Sequence, residues 1–351
     1  MSWLLLICVH RIELDTMIIK SIVKTHLAVW GLLAAISLTG CRDAISLPGA
    51  DPGGSAGAGS SQASTAQPCT DDAEIIDGKS ALEYAACQVA LGPRPAGSDA
   101  LRQLAADLRK KLSAYGYKTD YQDFTAQTPN GSVSMRNVIA SWPGSQPGEY
   151  LVGAHYDTKL LPDCAFVGAN DGASGVAVAV EMARMLAKKP LRHGLKFVFF
   201  DGEEAVRRWN PQNSLYGSRY YAQEAAKNGL ARSIKAVFIL DMVGDAKLQV
   251  TDDYFSSSEL KNALNAAARD LNLTAYFPGS RFTAIEDDHL PFIQLGIPAV
   301  DVTGFGSFEG GVSPAYWHTA GDTMDKLSAD SLSAVGSAVL LALRRLDSAK
   351  N

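Results

Sequence analysis

No Cys-x-x-Cys pair occurs anywhere in the 351 residues, so the usual thiolate metal signatures are absent. No long basic run occurs either, and the net charge is −5, which argues against nucleic acid as a partner. The chain shows no internal repeat, which excludes solenoid and propeller architectures. Histidine is scarce. Of six, His10 and His26 fall in an N-terminal stretch with the character of a leader, and of the other four only His193 stands outside a motif. With 47% hydrophobic and 20% charged residues, the remainder can bury a sizeable core.

Lys20, Lys24 and His26 precede the apolar stretch Leu27 to Leu38. A basic segment followed by a short apolar one is an export signal, and this run is too short to span a bilayer comfortably. It leads into Leu38-Thr39-Gly40-Cys41, which resembles the lipobox of bacterial lipoproteins. That resemblance implies cleavage before Cys41 and lipidation of its thiol. Met17 is the alternative start, because residues 1–16 add Glu13 and Asp15, which such signals usually lack. Residues 1–40 are therefore expected to be absent from the mature protein. Residues 42–68, rich in Gly, Ser, Ala and Pro, read as a flexible tether. The expected organisation is a signal over 1–40, a lipidated cysteine and linker over 41–70, and a catalytic domain over 71–351. It places an exported bacterial lipoprotein on the periplasmic or cell-surface side of a membrane. Cys69, Cys87 and Cys164 remain, with Cys69–Cys87 the first choice of a bridge and Cys164 the odd thiol.

From Asp71 onward, β-like and helical patterns alternate. Helices are expected over Ser80–Ala90, Asp99–Tyr115, Gly172–Lys189, Leu260–Leu271 and Ser328–Leu346. Strands are expected over Asn137–Ser141, Tyr150–Ala154, Leu195–Phe200, Ala236–Leu240 and Ala299–Thr303. This alternation points to a single α/β domain with a mostly parallel central sheet flanked by helices.

The strand ends carry the chemistry. Phe197 to Phe200 runs into Asp201-Gly202-Glu203-Glu204, and adjacent carboxylates at the mouth of a buried strand are costly without a cation or a proton-transfer task. Tyr150–Ala154 ends in His155-Tyr156-Asp157, and Ala236–Leu240 ends in Asp241. Asp171 stands just before a helix, and Trp317-His318 lies in a Gly/Pro-rich loop. Asp, Glu and His suit zinc, whose catalytic sites take about three protein ligands and leave one position open. Asp171, Glu204 and His318 can supply those three. Glu203, adjacent yet free, is then the natural general base. The plainer alternatives are helix-capping acids at Asp157 and Asp171, and a structural or supporting role for His289 oriented by Asp287 and Asp288.

The set His155, Asp157, Asp171, Glu203, Glu204, Asp241 and His318 resembles the zinc aminopeptidase clan. Asp201 to Ala205 with Trp209, Ser214 to Arg219, Glu286 to Phe292, and Trp317-His318 resemble one branch of it, the glutaminyl-peptide cyclotransferases. The likeness covers roughly residues 75–347. It implies one zinc on Asp171, Glu204 and His318, with Glu203 as acid/base. It further implies that Asp241 and Asp287 complete a carboxylate network, and that Trp209 and Trp317 wall the pocket for an N-terminal glutamine. The implied reaction closes that glutamine to pyroglutamate with loss of ammonia. The implied partners are peptides or proteins bearing an N-terminal Gln and, through the lipid, a membrane. Ala154 and Val176 stand where the animal enzymes carry a cysteine pair, and Gly172 with the Ala-Ser-Gly after it is more like the aminopeptidases. The competing function is accordingly a two-zinc aminopeptidase. In it His155 and Asp241 hold a second metal, Asp171 bridges, Glu203 activates water, and Asp157 supports the site. A third reading is a non-enzymatic surface lipoprotein on an inactivated scaffold, which the intact set of candidate ligands and base opposes.

Overall fold

The first helix, α1 (Gly78–Val89), begins where the Asp77 side chain accepts the backbone N–H groups of Lys79 and Ser80. Ser98 caps α2 (Asp99–Ala114) in the same way, and Leu101, Leu104, Leu108 and Leu112 make its buried stripe. These open a computed structural model that describes residues 75–280, 282–306 and 313–349. The leader, Cys41, the tether and Cys69 lie outside the described residues. Cys87 and Cys164 carry free thiols.

A hairpin follows, β1 (Lys118–Thr128) and β2 (Gly131–Trp142), paired antiparallel from Thr128↔Gly131 to Lys118↔Ser141. The sequence reading has no β1 and only part of β2. The cause is visible in the burial: β1 buries only Phe124 and Ala126, so a polar edge strand lacks the apolar alternation that marks a strand.

The remaining main elements alternate. They are β3 (Gln146–His155), α3 (Ala173–Lys188), β4 (His193–Phe200), α4 (Tyr216–Lys227), β5 (Ile234–Asp241), a two-residue β6 (Asp252–Asp253) and α5 (Ser258–Asp270). Then come β7 (Phe282–Thr283), α6 (Leu290–Ile293), β8 (Ala299–Thr303) and α7 (Ala329–Ser348). The sequence reading also lacks α4. That helix starts after Leu215 in a left-handed conformation with no side-chain cap, so it has no N-terminal signal.

The six-stranded sheet has the order β1-β2-β4-β3-β5-β8. Its β4-β3-β5-β8 part is parallel and the hairpin is joined antiparallel. Parity decides which way each residue packs. Tyr150, Val152 and Ala154 of β3 enter the larger core with α1, α2, α3, α5 and α7, while Leu151 enters a second core against α4 and α6. Helices thus cover both faces, and the parallel strands are buried on both sides. Strand β3 runs into β4 on one side and neighbours β5 on the other, so the order reverses between β3 and β5. At such a switch point the carboxyl ends of the strands leave a crevice. Among the described residues no helix is long and apolar enough to cross a membrane.

Candidate metal centre and active site

Several chain segments deliver side chains to that crevice, and four of them build the surroundings of Asp171, Glu204 and His318. The first follows β3. There Asp157 is buried and its carboxylate accepts the N–H groups of Glu203 at 3.1 Å and Glu204 at 3.4 Å. Its job is to hold the turn after β4, and it belongs to neither group of potential metal ligands described below. The second segment is the Gly168–Gly172 turn. Both glycines have positive φ, 53° and 101°, and a Cβ on Gly168 would stand 2.1 Å from the Asp171 carbonyl oxygen. This tightness turns Asp171 back toward the strand ends.

The third segment brings Glu204, whose Oε2 accepts a hydrogen bond from Lys159 Nζ at 3.0 Å. Its Oε1 lies 3.1 Å from His318 Nε2. The fourth is the loop before α7, where His318 itself has φ 53°. Trp317 stacks on the His318 ring at 3.7 Å, and Phe166 meets it edge-on at 5.7 Å. The same Nε2 lies 3.3 Å from Asp171 Oδ2. Of the two contacts, the shorter one to Glu204 is the hydrogen bond. Asp171 Oδ2 is left buried with no hydrogen-bond partner among the described residues.

Potential ligand atoms of Asp171, Glu204 and His318 all lie within 4.8 Å of one another. A tetrahedral zinc with bonds near 2.0–2.2 Å sets its ligand atoms about 3.3–3.5 Å apart. The 3.1 and 3.3 Å separations and the unpartnered carboxylate oxygen fit such an ion. A second group, His155, Asp171 and Asp241, meets the same 4.8 Å condition. His155 Nε2 is 3.0 Å from Asp241 Oδ1 and 3.3 Å from Asp171 Oδ1. Asp171 therefore turns one oxygen to each group.

The electrostatics follow from burying so many acids together. Burial would lower the pKa of His318, but Asp171 and Glu204 outweigh it and hold the imidazole at about 9. The carboxylates of Asp157, Asp171 and Asp241 likewise raise His155 against its burial. Burial would raise Asp171, and the two imidazoles instead hold it well below the usual carboxylate range. Glu203 goes the other way. Burial first, then Glu204, Asp287 and Asp288, push its carboxyl far up, and His155 only partly opposes them. Asp241 is pushed up to about 7, chiefly by burial.

Above these groups opens a cavity of about 420 Å³. Asp171, Glu203, Glu204, Asp241, Asp287 and His318 line its floor, and Trp209, Phe305 and Trp317 its apolar walls. Trp209 is 39% exposed, and its indole N–H donates to Glu286 Oε2 at 2.7 Å across the mouth. His155 and Asp157 are buried beside the cavity and do not line it. His289 does not meet Asp287 or Asp288 as its neighbourhood suggests. Its Nε2 faces Asp253 Oδ2 at 3.2 Å, because the turn into α6 points the ring at the β6 segment.

Sequence reasoning missed three contributors. Lys159 neutralises one oxygen of Glu204. Asp301 is wholly buried behind Asp287, and burial together with Asp287, Asp241 and Asp253 raises its carboxyl strongly. A lone acid inside the apolar strand Ala299–Thr303 is a signal that could have revealed it. Asp322 accepts the N–H groups of Asn170 and Asp171, and burial pushes it up to about 7. Nothing in its local sequence distinguishes it from an ordinary loop aspartate.

The sequence profile of peptidase family M28 matches residues 137–343. The glutaminyl-peptide cyclotransferase of Bothrops jararaca is 31% identical over 283 residues, covering 69% of this chain and 74% of the snake protein. The chain belongs to peptidase family M28, in its glutaminyl-peptide cyclotransferase branch. The solved glutaminyl cyclase of an Acidobacteriales bacterium superposes with a TM-score of 0.74 at 35% identity, over 81% of this chain and 99% of that one. The bovine glutaminyl-peptide cyclotransferase-like protein is 29% identical over 259 residues, which is 66% of this chain and 65% of the bovine one. This M28 chain thus spans just under two thirds of that relative.

Proposed function

We propose that the protein closes the N-terminal glutamine of peptides and proteins to pyroglutamate, releasing ammonia, with one zinc held by Asp171, Glu204 and His318. The observation that carries this reading is the shared cavity. Trp209 and Trp317 wall the same space whose floor holds the three candidate ligands and Glu203. An aromatic-walled space of about 420 Å³ has room for a glutamine residue and the start of the next one. Zinc, when bound, supplies a Lewis acid for the γ-amide oxygen.

In this reading the chain's own residues do the rest. Glu203 accepts a proton from the α-amine as its nitrogen attacks the γ-amide carbon. The carbon–nitrogen bond of the side-chain amide then breaks, and Glu203 returns the proton to the leaving nitrogen, giving ammonia. Burial raises the Glu203 carboxyl above the usual carboxylate range, which strengthens it as a proton acceptor. Asp287, with Glu204 and Asp288, supplies the acidic surroundings that raise it, and Asp241 completes the carboxylate network on the cavity floor. Trp209 and Trp317 clasp the glutamine side chain and exclude water.

The group His155, Asp171 and Asp241 favours a second reading, a two-metal aminopeptidase. The assay that separates the two uses Gln-β-naphthylamide with metal analysis. Cyclisation releases ammonia and keeps the naphthylamide, with one zinc per chain. Free β-naphthylamine as the product, with two zinc ions per chain, would replace the proposal by the second reading. The proposal extends to the whole chain: Cys41 carries lipid, residues 42–68 tether the domain, and the site faces exported peptides at a membrane surface.

A further inference from the structure

We infer that Asp322 is the positioning residue that sets the separation of Asp171 and His318, and through it the affinity of the centre for zinc. The inference rests on reading Asp171 and His318 as ligands.

Asp322 sits four residues after His318 in the same loop, and its side chain is wholly buried. Every polar bond given for its carboxylate crosses to the other ligand's turn. Oδ1 accepts the N–H of Asn170 at 2.8 Å, and Oδ2 accepts the N–H of Asp171 at 3.0 Å. Its backbone carbonyl takes the preceding N–H, that of Ala169, at 3.3 Å. Three consecutive amides of the Gly168–Gly172 turn therefore end on one residue of the His318 loop.

The turn is held from its other side by opposite charge. The buried Arg94 guanidinium donates to the Val167 carbonyl at 2.9 Å and approaches that of Gly168 at 3.5 Å. Carbonyls face a buried cation and amides face a buried anion, so the turn has one favourable orientation. Arg94 belongs to neither ligand's loop, whereas Asp322 belongs to the loop of His318. Tyr316, two residues before His318, adds a lateral tie by accepting the Asn170 side-chain amide at 3.2 Å. The Asp171 turn and the His318 loop share no strand, and the Asp171–Asp322 bond spans 151 residues of sequence. The Asp322 carboxylate makes two of the bonds that join them, including the one to Asp171 itself.

A residue that only stabilised the fold would lower the melting temperature and leave the zinc affinity of the folded protein alone. A residue that spaces the ligands changes zinc affinity in protein that remains folded. Supporting groups of this kind typically contribute about 10–100-fold in metal affinity. Asp322→Ala removes both acceptors, and Asp322→Asn keeps one acceptor and the shape. The test measures zinc affinity by chelator competition, the visible spectrum with cobalt in place of zinc, and the circular dichroism of the metal-free protein.

The expected order of affinity is wild type, then Asn, then Ala, with the Ala variant about 10–100-fold weaker and its cobalt bands shifted. Folded Asp322→Ala with wild-type zinc affinity and cobalt spectrum would overturn the inference. Where the Ala variant does not fold, a folded Asp322→Asn with unchanged affinity and spectrum overturns it equally. His318→Ala serves as the companion. If it retains zinc, the ligand reading itself is wrong, whereas loss of zinc there with normal binding in both Asp322 variants defeats only the present inference.

Discussion

Glu203→Gln is the sharpest perturbation of the proposed chemistry. It exchanges one buried carboxylate for an amide of the same size and leaves the candidate ligands Asp171, Glu204 and His318 untouched. The bond from the Glu203 backbone N–H to the Asp157 carboxylate is also retained, since no atom of the Glu203 side chain takes part. What disappears is the proton acceptor. A general base contributes about 10²–10⁴-fold in rate, equivalent to roughly 2.7–5.4 kcal/mol of barrier at 1.36 kcal/mol per decade. Ammonia release from Gln-β-naphthylamide should fall by that factor while zinc content stays at the wild-type level.

The same exchange has a stability signature of opposite sign. The folded-state pKa of Glu203 is raised far above its ordinary value of 4.5, by burial and then by Glu204, Asp287 and Asp288. Wild type therefore carries a folding penalty at pH values above about 4.5, and loses it below that pH, where folded and unfolded chains both hold the proton. The metal-free Gln variant should melt at least as high as wild type at neutral pH, and any advantage should vanish near pH 4. Wild-type turnover in Glu203→Gln, or loss of its zinc, would refute the assigned role. A lower neutral-pH melting temperature would refute the electrostatic argument.

Three further outcomes are expected. His318→Ala removes the one imidazole from the Asp171, Glu204 and His318 group and should release zinc and activity together, read by metal analysis after dialysis. Gly175→Ala places a Cβ 2.0 Å from the backbone oxygen of Leu240, so α3 must shift away from β5. A loss of about 1–3 kcal/mol or more in urea unfolding is expected, and an unchanged midpoint would contradict the packing. Cys41→Ser should move the exported protein from the membrane fraction to the soluble one with turnover unaltered, because lasting attachment needs more than one acyl chain and lipoprotein maturation would add them at this thiol. Persistent membrane fractionation of that variant would show that something other than Cys41 lipid holds it there.

The buried parallel strands were readable in the chain because strands covered on both faces are near-continuous apolar runs, as in Leu195–Phe200 and Ala236–Leu240. The acids that end those runs were readable too, since Glu203 and Glu204 break the pattern where the sheet meets its crevice. Strand β1 was not, because a solvent-facing edge asks for little apolar surface, and α4 was not, because it starts without a capping side chain. Local sequence also could not say how Asp171 divides its two oxygens between His318 and His155, or that Asp157 turns away to hold the 203–204 backbone. Nor could it say that Asp322 reaches across to the Asn170 and Asp171 amides. Periodicity records what each residue does with its own neighbours. Those other choices depend on the order β4-β3-β5-β8, which sets four strand ends side by side and lets segments far apart in the chain share one buried crevice.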